Sequence, residues 1–231
     1  MAYKTKRSKE ISKLVDKDKT YDLLEAVEFL QQCPPVKFDQ TLEISLHLGV
    51  DPRKADQMVR GTVSLPHGTG RKNVVLVIST GESVQAALNA GADYAGHEEY
   101  LQKIQGGWLE FDTMIVTPDM MREVGKLGKI LGPRGLMPTP KAGTVTTDVA
   151  RAVTETKGGK VEFKVDKNSV INNAVGKLSF NANQLVENVR QLVISIVKAK
   201  PASARGTYVK SFRLSSTMGP GCKINLREVP T

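Results

Sequence analysis

Residues 125–143 read GKLGKILGPRGLMPTPKAG and place four cations, Lys126, Lys129, Arg134 and Lys141, among five glycines and three prolines. No carboxylate follows until Asp148. Glycine frees φ and proline fixes it, so this density predicts an ordered loop rather than a long regular element. Amide donors exposed by glycine beside unopposed cations suit phosphate oxygens. A solvated connection between two elements is the competing reading. A second row has different chemistry. Ser211, Arg213 and Ser215 form a short polar row leading into Ser216-Thr217-Met218-Gly219-Pro220-Gly221. Glycine there lets the backbone approach a ligand, and the Ser216 and Thr217 hydroxyls can meet a ribose 2′-hydroxyl, the group that separates RNA from DNA. Met218 offers a pliable apolar contact. Lys37-Phe38 adds a cation and a platform, unless Phe38 is a buried strand-end residue. Lys160 and Lys164 share one face of another alternating stretch, with Lys167 in the adjoining turn.

Enzyme signatures are mostly missing. Four Gly-Lys pairs occur, at 125–126, 128–129, 159–160 and 176–177, and none continues into Ser or Thr in a phosphate-loop frame. The apolar run 74–78 leads into Ser79-Thr80-Gly81-Glu82 instead of a dinucleotide fingerprint. His47, His67 and His97 lie far apart, beside no cysteine or carboxylate pattern typical of a metal site. Asp93, Glu98, Glu99, Glu110, Asp112 and Asp119 read as surface charge in preference to a catalytic pair. Cys33 and Cys222 make neither a metal pattern nor a disulfide framework and fit reduced thiols in a cytoplasm, with a bridge between them as the alternative. The expectation is therefore no catalytic residue, no metal and no cofactor. A protein that holds a phosphorylated ligand or nucleotide in the 128–143 loop is the rival from another class.

These rows need elements to hold them. Val74–Ile78 is continuously apolar, as a strand covered on both faces reads, and Met114–Val116 reads as a second. Helical patterns cover 82–90, 97–105 and 119–127, the last opened by Pro118. This β-α-α-β-α order predicts a small parallel sheet flanked by helices. The outer segments instead alternate with period two, at 41–48, 160–166 and 207–216, which predicts a mostly antiparallel sheet with one wet face. Amphipathic helices over 21–32 and 184–198 offer the cover for its dry face. The predicted architecture is α/β with two domains. A discontinuous two-layer domain comes from 1–67 and 160–231, and a Rossmann-like α/β domain, 68–159, is inserted into it. Glycines at both crossings would allow hinge motion.

The chain has 231 residues and a net charge of +9, which suggests a polyanionic partner. Residues 68–159 carry ten Lys/Arg against ten Asp/Glu, whereas 160–231 carry twelve against four. The excess thus sits almost wholly in the last third, which makes the outer domain the main grip. Aromatics are only 5% and form no stacking row, so recognition of a folded RNA by backbone and shape fits better than stacking along single strands. No apolar run approaches a membrane span, and MAYKTKRSKEISK lacks the apolar core of a secretory signal.

Phe38-Asp39-Gln40-Thr41-Leu42-Glu43, Gly49-Val50-Asp51-Pro52-Arg53-Lys54 and Arg60-Gly61-Thr62-Val63-Ser64-Leu65-Pro66-His67-Gly68 resemble the bacterial large-subunit ribosomal protein 1 family, whose member sits on the mobile stalk. Gly132-Pro133-Arg134-Gly135-Leu136-Met137-Pro138 and Ser216-Thr217-Met218-Gly219-Pro220 extend the resemblance, which covers essentially the whole chain in the family's order. It implies a two-domain, non-enzymatic protein of the large ribosomal subunit, cytoplasmic, that binds 23S rRNA, helps release exit-site tRNA, and represses its own operon by binding its mRNA. Neither a membrane nor a small-molecule substrate is implied. The family's RNA contacts would fall on Phe38, Ser211, Thr217, Met218 and Gly219, with Lys37, Thr41, Glu43, Lys164 and Asp166 as plausible neighbours and Ser216 beside them. Lys126, Lys129, Arg134 and Lys141 would make a weaker secondary contact to rRNA or passing tRNA. One departure is visible. After Lys167 the family usually has a glycine-containing turn and a histidine, where this chain has Asn168-Ser169-Val170-Ile171-Asn172-Asn173. Asparagine at the left-handed turn position would let the fold survive.

Overall fold

Leu42, Ile44, Leu46 and Leu48 alternate with Thr41, Glu43, Ser45 and His47, and that alternation organises the larger of two compact units. The computed structural model describes residues 5–16 and 19–228, apart from the side chains of Ser8 and Glu228. The start of the basic amino-terminal stretch thus lies outside the described residues. One unit is drawn from Met1–Gly70 and Glu162–Thr231, the other from Arg71–Val161.

The amino-terminal segment holds α1 (Lys6–Leu14), β1 (Thr20–Tyr21), α2 (Leu23–Gln32), β2 (Thr41–Leu48) and β3 (Arg60–Ser64). The middle segment holds β4 (Val75–Ile78), α3 (Glu82–Asn89), β5 (Tyr94–Gly96), α4 (Glu98–Gln105), β6 (Thr113–Val116), α5 (Met121–Lys126), α6 (Gly128–Leu131) and α7 (Val149–Lys157). β7 (Lys160–Lys164), β8 (Val170–Lys177), α8 (Ala182–Lys198), β9 (Val209–Ser216) and β10 (Gly221–Ile224) complete the chain.

In the larger unit the sheet order is β1-β10-β9-β2-β8, antiparallel except for the β1–β10 pair. The even-numbered apolar residues of β2 are all buried. They face α2, which buries Leu23, Val27 and Leu30, and α8, which buries Leu185, Val189, Leu192 and Ile196. α8 begins at a capping box of Asn181 and Gln184, so its first amide donors have side-chain partners. The stretch 160–166 departs from expectation. It is shorter, ends at Lys164, and pairs with β3 in a separate two-stranded sheet. β8, which periodicity does not flag, takes the edge position beside β2.

Asn188 is fully buried on α8 and serves three backbone groups. Its Oδ1 accepts from His67 N at 3.1 Å, and its Nδ2 donates to Gly68 O at 2.9 Å and to Val175 O at 2.8 Å. An apolar residue there would strand all three inside the protein.

The smaller unit has a parallel sheet, β5-β4-β6. Leu76, Ile78, Met114 and Val116 face one cluster with α4, α5 and α6, while Val75, Val77 and Ile115 face another with α3 and α7. Burial on both faces is why β4 reads as a continuous apolar run. The 125–143 segment is more regular than its glycines predict. It contains α6 and a 3₁₀ turn at Pro140–Ala142. Leu127 and Leu131, one turn apart, are buried in the first cluster, and their packing outweighs the intrinsic cost of glycine in a helix.

Both cysteines are free and buried. Burial pushes the Cys33 thiol up, and burial with Cys33 nearby pushes Cys222 up to about 11. Two outcomes test this account. Asn188→Leu should cost about 3 kcal/mol in urea unfolding, since three buried backbone groups lose their partner. At pH 8 neither thiol should react promptly with Ellman's reagent in the native protein, and both should react once denaturant is added.

Candidate nucleic-acid interface

The solvent face of the larger unit's sheet is built by register. Lys223, Arg213, Ser45 and Asn172 stand in one row across β10, β9, β2 and β8. Ser215 and Glu43 make the next row toward one end, and Ser211 and His47 the next toward the other. Arg213 and Lys223 are exposed, and neither has an ion-pair partner among the described residues. The face therefore offers hydroxyls, an amide and unopposed cations on a rigid frame.

At the Thr41 end, two loops meet. Thr217 N donates to Thr41 O at 3.1 Å, and the Thr217 hydroxyl both accepts from Thr41 N at 3.0 Å and donates to Thr41 O at 3.3 Å. Gln40, only 6% exposed, reaches across to accept from Met218 N at 3.0 Å. Lys177 Nζ donates to the Thr41 hydroxyl at 2.9 Å, and Ser179 donates to the Asp39 carboxylate at 2.8 Å. Arg7 of α1 donates from Nη1 to Met218 O at 2.6 Å and from Nε to Pro34 O at 3.1 Å. The Thr217, Gln40 and Arg7 bonds fix backbone, and those of Lys177 and Ser179 fix the side chains beside it. What it presents outward is apolar, with Phe38 at 52% and Met218 at 56% exposure, beside exposed Lys37. Phe38 is thus not a buried strand-end residue.

The fixed loop changes the role of two predicted hydroxyls. Thr217 is occupied with Thr41. Ser216 is only 3% exposed, and its Oγ is buried with no hydrogen-bond partner. Expected to meet ribose, Ser216 instead turns inward because β9 alternation sends Leu214 and Ser216 to the dry side. Gly219 closes over it. A Cβ there would run into Ser216 Oγ, so glycine is favoured by space and not by φ.

The remaining candidates are spread out. Ser211 pairs with His47, toward the opposite end of the sheet from Thr217. Lys164 is exposed on β7. Asp166 holds the 166–170 turn, its Oδ1 accepting from Asn168 N at 2.8 Å and Val170 N at 2.9 Å. In that turn the left-handed residue is Ser169, φ 63°, rather than the asparagine expected. Its hydroxyl bond to Val50 O at 2.8 Å helps hold the strained backbone. Lys160 pairs with Glu155 at 2.9 Å and does not share a free face with Lys164. Lys126, Lys129, Arg134 and Lys141 are all exposed in the smaller unit. Gln40 and Arg7 are not among the predicted site residues. Neither carries a local signal, because their partners lie 178 and 211 residues away.

Two carboxylates in the smaller unit are structural ties. Asp93 accepts from Val75 N at 2.8 Å and pairs with Lys157, and Asp112 accepts from Val74 N at 3.1 Å and pairs with Arg71. A cleft of about 300 Å³ is lined by Gly143, Thr146, Asp148, Arg151 and Lys160, among others, but Glu155 pairs with both of its cations and Asp148 adds a second carboxylate. Lys160, then Arg151, hold the Glu155 carboxyl below the usual range. Among the described residues no group of three His, Cys, Asp or Glu is placed to hold a metal ion, and no helix is long and apolar enough to cross a membrane.

The closure of Gly219 over Ser216 can be tested in the free protein. Gly219→Ala should destabilise by roughly 1–3 kcal/mol through overpacking. Ser216→Ala should be neutral or stabilising, because the hydroxyl it removes has no partner, and should recover part of the Gly219→Ala loss. Thermal melts of the two single variants and the double variant read both.

Residues 29–220 match the Ribosomal protein L1p/L10e family. The chain is 63% identical to the large ribosomal subunit protein uL1 of Protochlamydia amoebophila (strain UWE25) over 228 residues, which is 99% of this chain and 97% of the relative. It is 55% identical to the protein of the same name from Chlamydia pneumoniae over 224 residues, 97% of each. The chain belongs to the Ribosomal protein L1p/L10e family.

Proposed function

We propose that this chain, a ribosomal protein of the large subunit, binds 23S rRNA through the discontinuous domain formed by 1–67 and 160–231. The observation that carries the reading is the pinned pair of loops at the Thr41 end. Two exposed apolar side chains, Phe38 and Met218, stand on backbone held by Thr217, Gln40 and Arg7, so little ordering entropy remains to be lost on binding. Lys37 and Arg213 supply phosphate contacts, and Gly219 lets the turn that displays Met218 pack over Ser216. Thr41, Glu43 and Ser211 extend the same track along the sheet, and Lys164, on the separate β3–β7 pair, with Asp166 in the turn after it, would add flanking contacts. Thr217 acts by fixing the loop.

One such surface would serve two ligands, rRNA and an mRNA segment of its own operon that imitates it, which supports a role in repression. The domain formed by 68–159 would contribute Lys126, Lys129, Arg134 and Lys141 as a secondary contact to rRNA or to exit-site tRNA during its release. The chain acts on the ribosome as a binding protein, without enzymatic chemistry.

Filter binding to a transcript of the rRNA stalk region tests the site. Thr217→Ala and Met218→Asp should each weaken binding roughly tenfold, about 1.4 kcal/mol, with circular dichroism unchanged. Wild-type affinity in both variants would remove these loops from the interface. Co-sedimentation with large subunits separates a ribosomal constituent from a repressor that works only off the ribosome.

A further inference from the structure

Helix α1 has two distinct stripes. Arg7 and Ile11, with Val15 just past the helix end, are half-buried at four-residue spacing, while Lys6, Lys9 and Lys13 are exposed at spacings of three and four. Residues so spaced share a helix face. Among the described residues none of these three lysines has a carboxylate partner, and Glu10 is the one acid exposed within the helix. The inner stripe is fastened by Arg7, whose guanidinium donates to two backbone carbonyls, Met218 O at 2.6 Å and Pro34 O at 3.1 Å, while Nη2 is buried with no partner. A cationic head withdrawn from water is thus used on the loop that carries Met218 and on the segment leading to Phe38.

We propose that α1 is a cationic arm of the RNA surface, fixed beside the Phe38 and Met218 loops by Arg7. Arg7 is the positioning residue. Lys6, Lys9 and Lys13 meet the phosphate backbone of the RNA strand that passes those loops, releasing its counterions. This inference rests on the RNA-binding reading above.

The test is filter binding to the same stalk transcript over a salt series, with thermal melts as a fold check. K6Q/K9Q/K13Q should lower the slope of log affinity against log salt by about two to three, at about 0.7–0.9 for each of three phosphate contacts. R7Q should lower both affinity and slope, and R7K should restore part of each. Adding R7Q to the lysine triple should leave its salt slope unchanged, because an arm without lysines has no phosphate contacts left to lose, whatever affinity R7Q costs through the Met218 loop. A lysine triple with the wild-type slope would overturn the arm. A quadruple variant whose slope falls below that of the lysine triple, or R7Q with the wild-type slope, would overturn Arg7 as its fastening. If Thr217→Ala weakens binding while the arm variants do not, only this inference fails. If the wild-type protein shows no salt-dependent binding, the RNA reading fails with it.

Discussion

β2 lies between β8 and β9, and its apolar face has to be covered. Leu42, Ile44, Leu46 and Leu48 are buried against α2 and α8. A slip of one residue would send Thr41, Glu43, Ser45 and His47 into that core and the leucines into water, so the register is strongly specified. Everything on the wet face follows from it. Arg213 stands opposite Ser45 and Ser211 opposite His47 because Ile44 and Leu46 take the other side. The same rule turns Ser216 inward. One hydrophobic constraint thus decides which polar groups a ligand can reach.

The loops at the strand ends need a second device, since alternation stops there. Single exposed apolar residues are common on protein surfaces and carry little meaning. Phe38 and Met218 differ in their setting. They flank backbone crossed by Thr217, Gln40, Lys177 and Arg7. Freely moving loops would collapse such side chains onto the surface, whereas pinned ones keep them outward. Polar and charged groups are here used internally so that apolar ones can be displayed.

Much of this fold was legible in the sequence, and the exceptions share a cause. The strand at 41–48 and the doubly covered run at 74–78 could be read because burial leaves a period in the chain. β8 could not, since Asn172, Asn173 and Gly176 interrupt its apolar positions although Ile171 and Val175 are buried. α6 was hidden by glycines that the packing of Leu127 and Leu131 overrides. At the candidate site, residue type pointed to Phe38 and Met218, but Gln40 and Arg7 act across long sequence separations that no local pattern records. The hydroxyl of Ser216 was misread for a simpler reason. Its place on β9 fixes its face, and the parity of Leu214 already implies an inward side chain.

Charge counting shows where a sum misleads. The 68–159 segment has equal numbers of cations and carboxylates, which suggests a neutral surface. Its carboxylates are unevenly employed. Asp93 and Asp112 hold backbone amides, Glu123 pairs with His97 at 2.7 Å, Glu155 joins Arg151 to Lys160, and Asp148 caps α7. Lys126, Lys129, Arg134 and Lys141 remain exposed, with no carboxylate partner among the described residues. A charge spent on an internal tie contributes little to the field outside, because its partner cancels it at short range. These four cations lie within sixteen consecutive residues that hold no carboxylate, so a formally neutral unit still has a cationic edge along its glycine- and proline-rich segment.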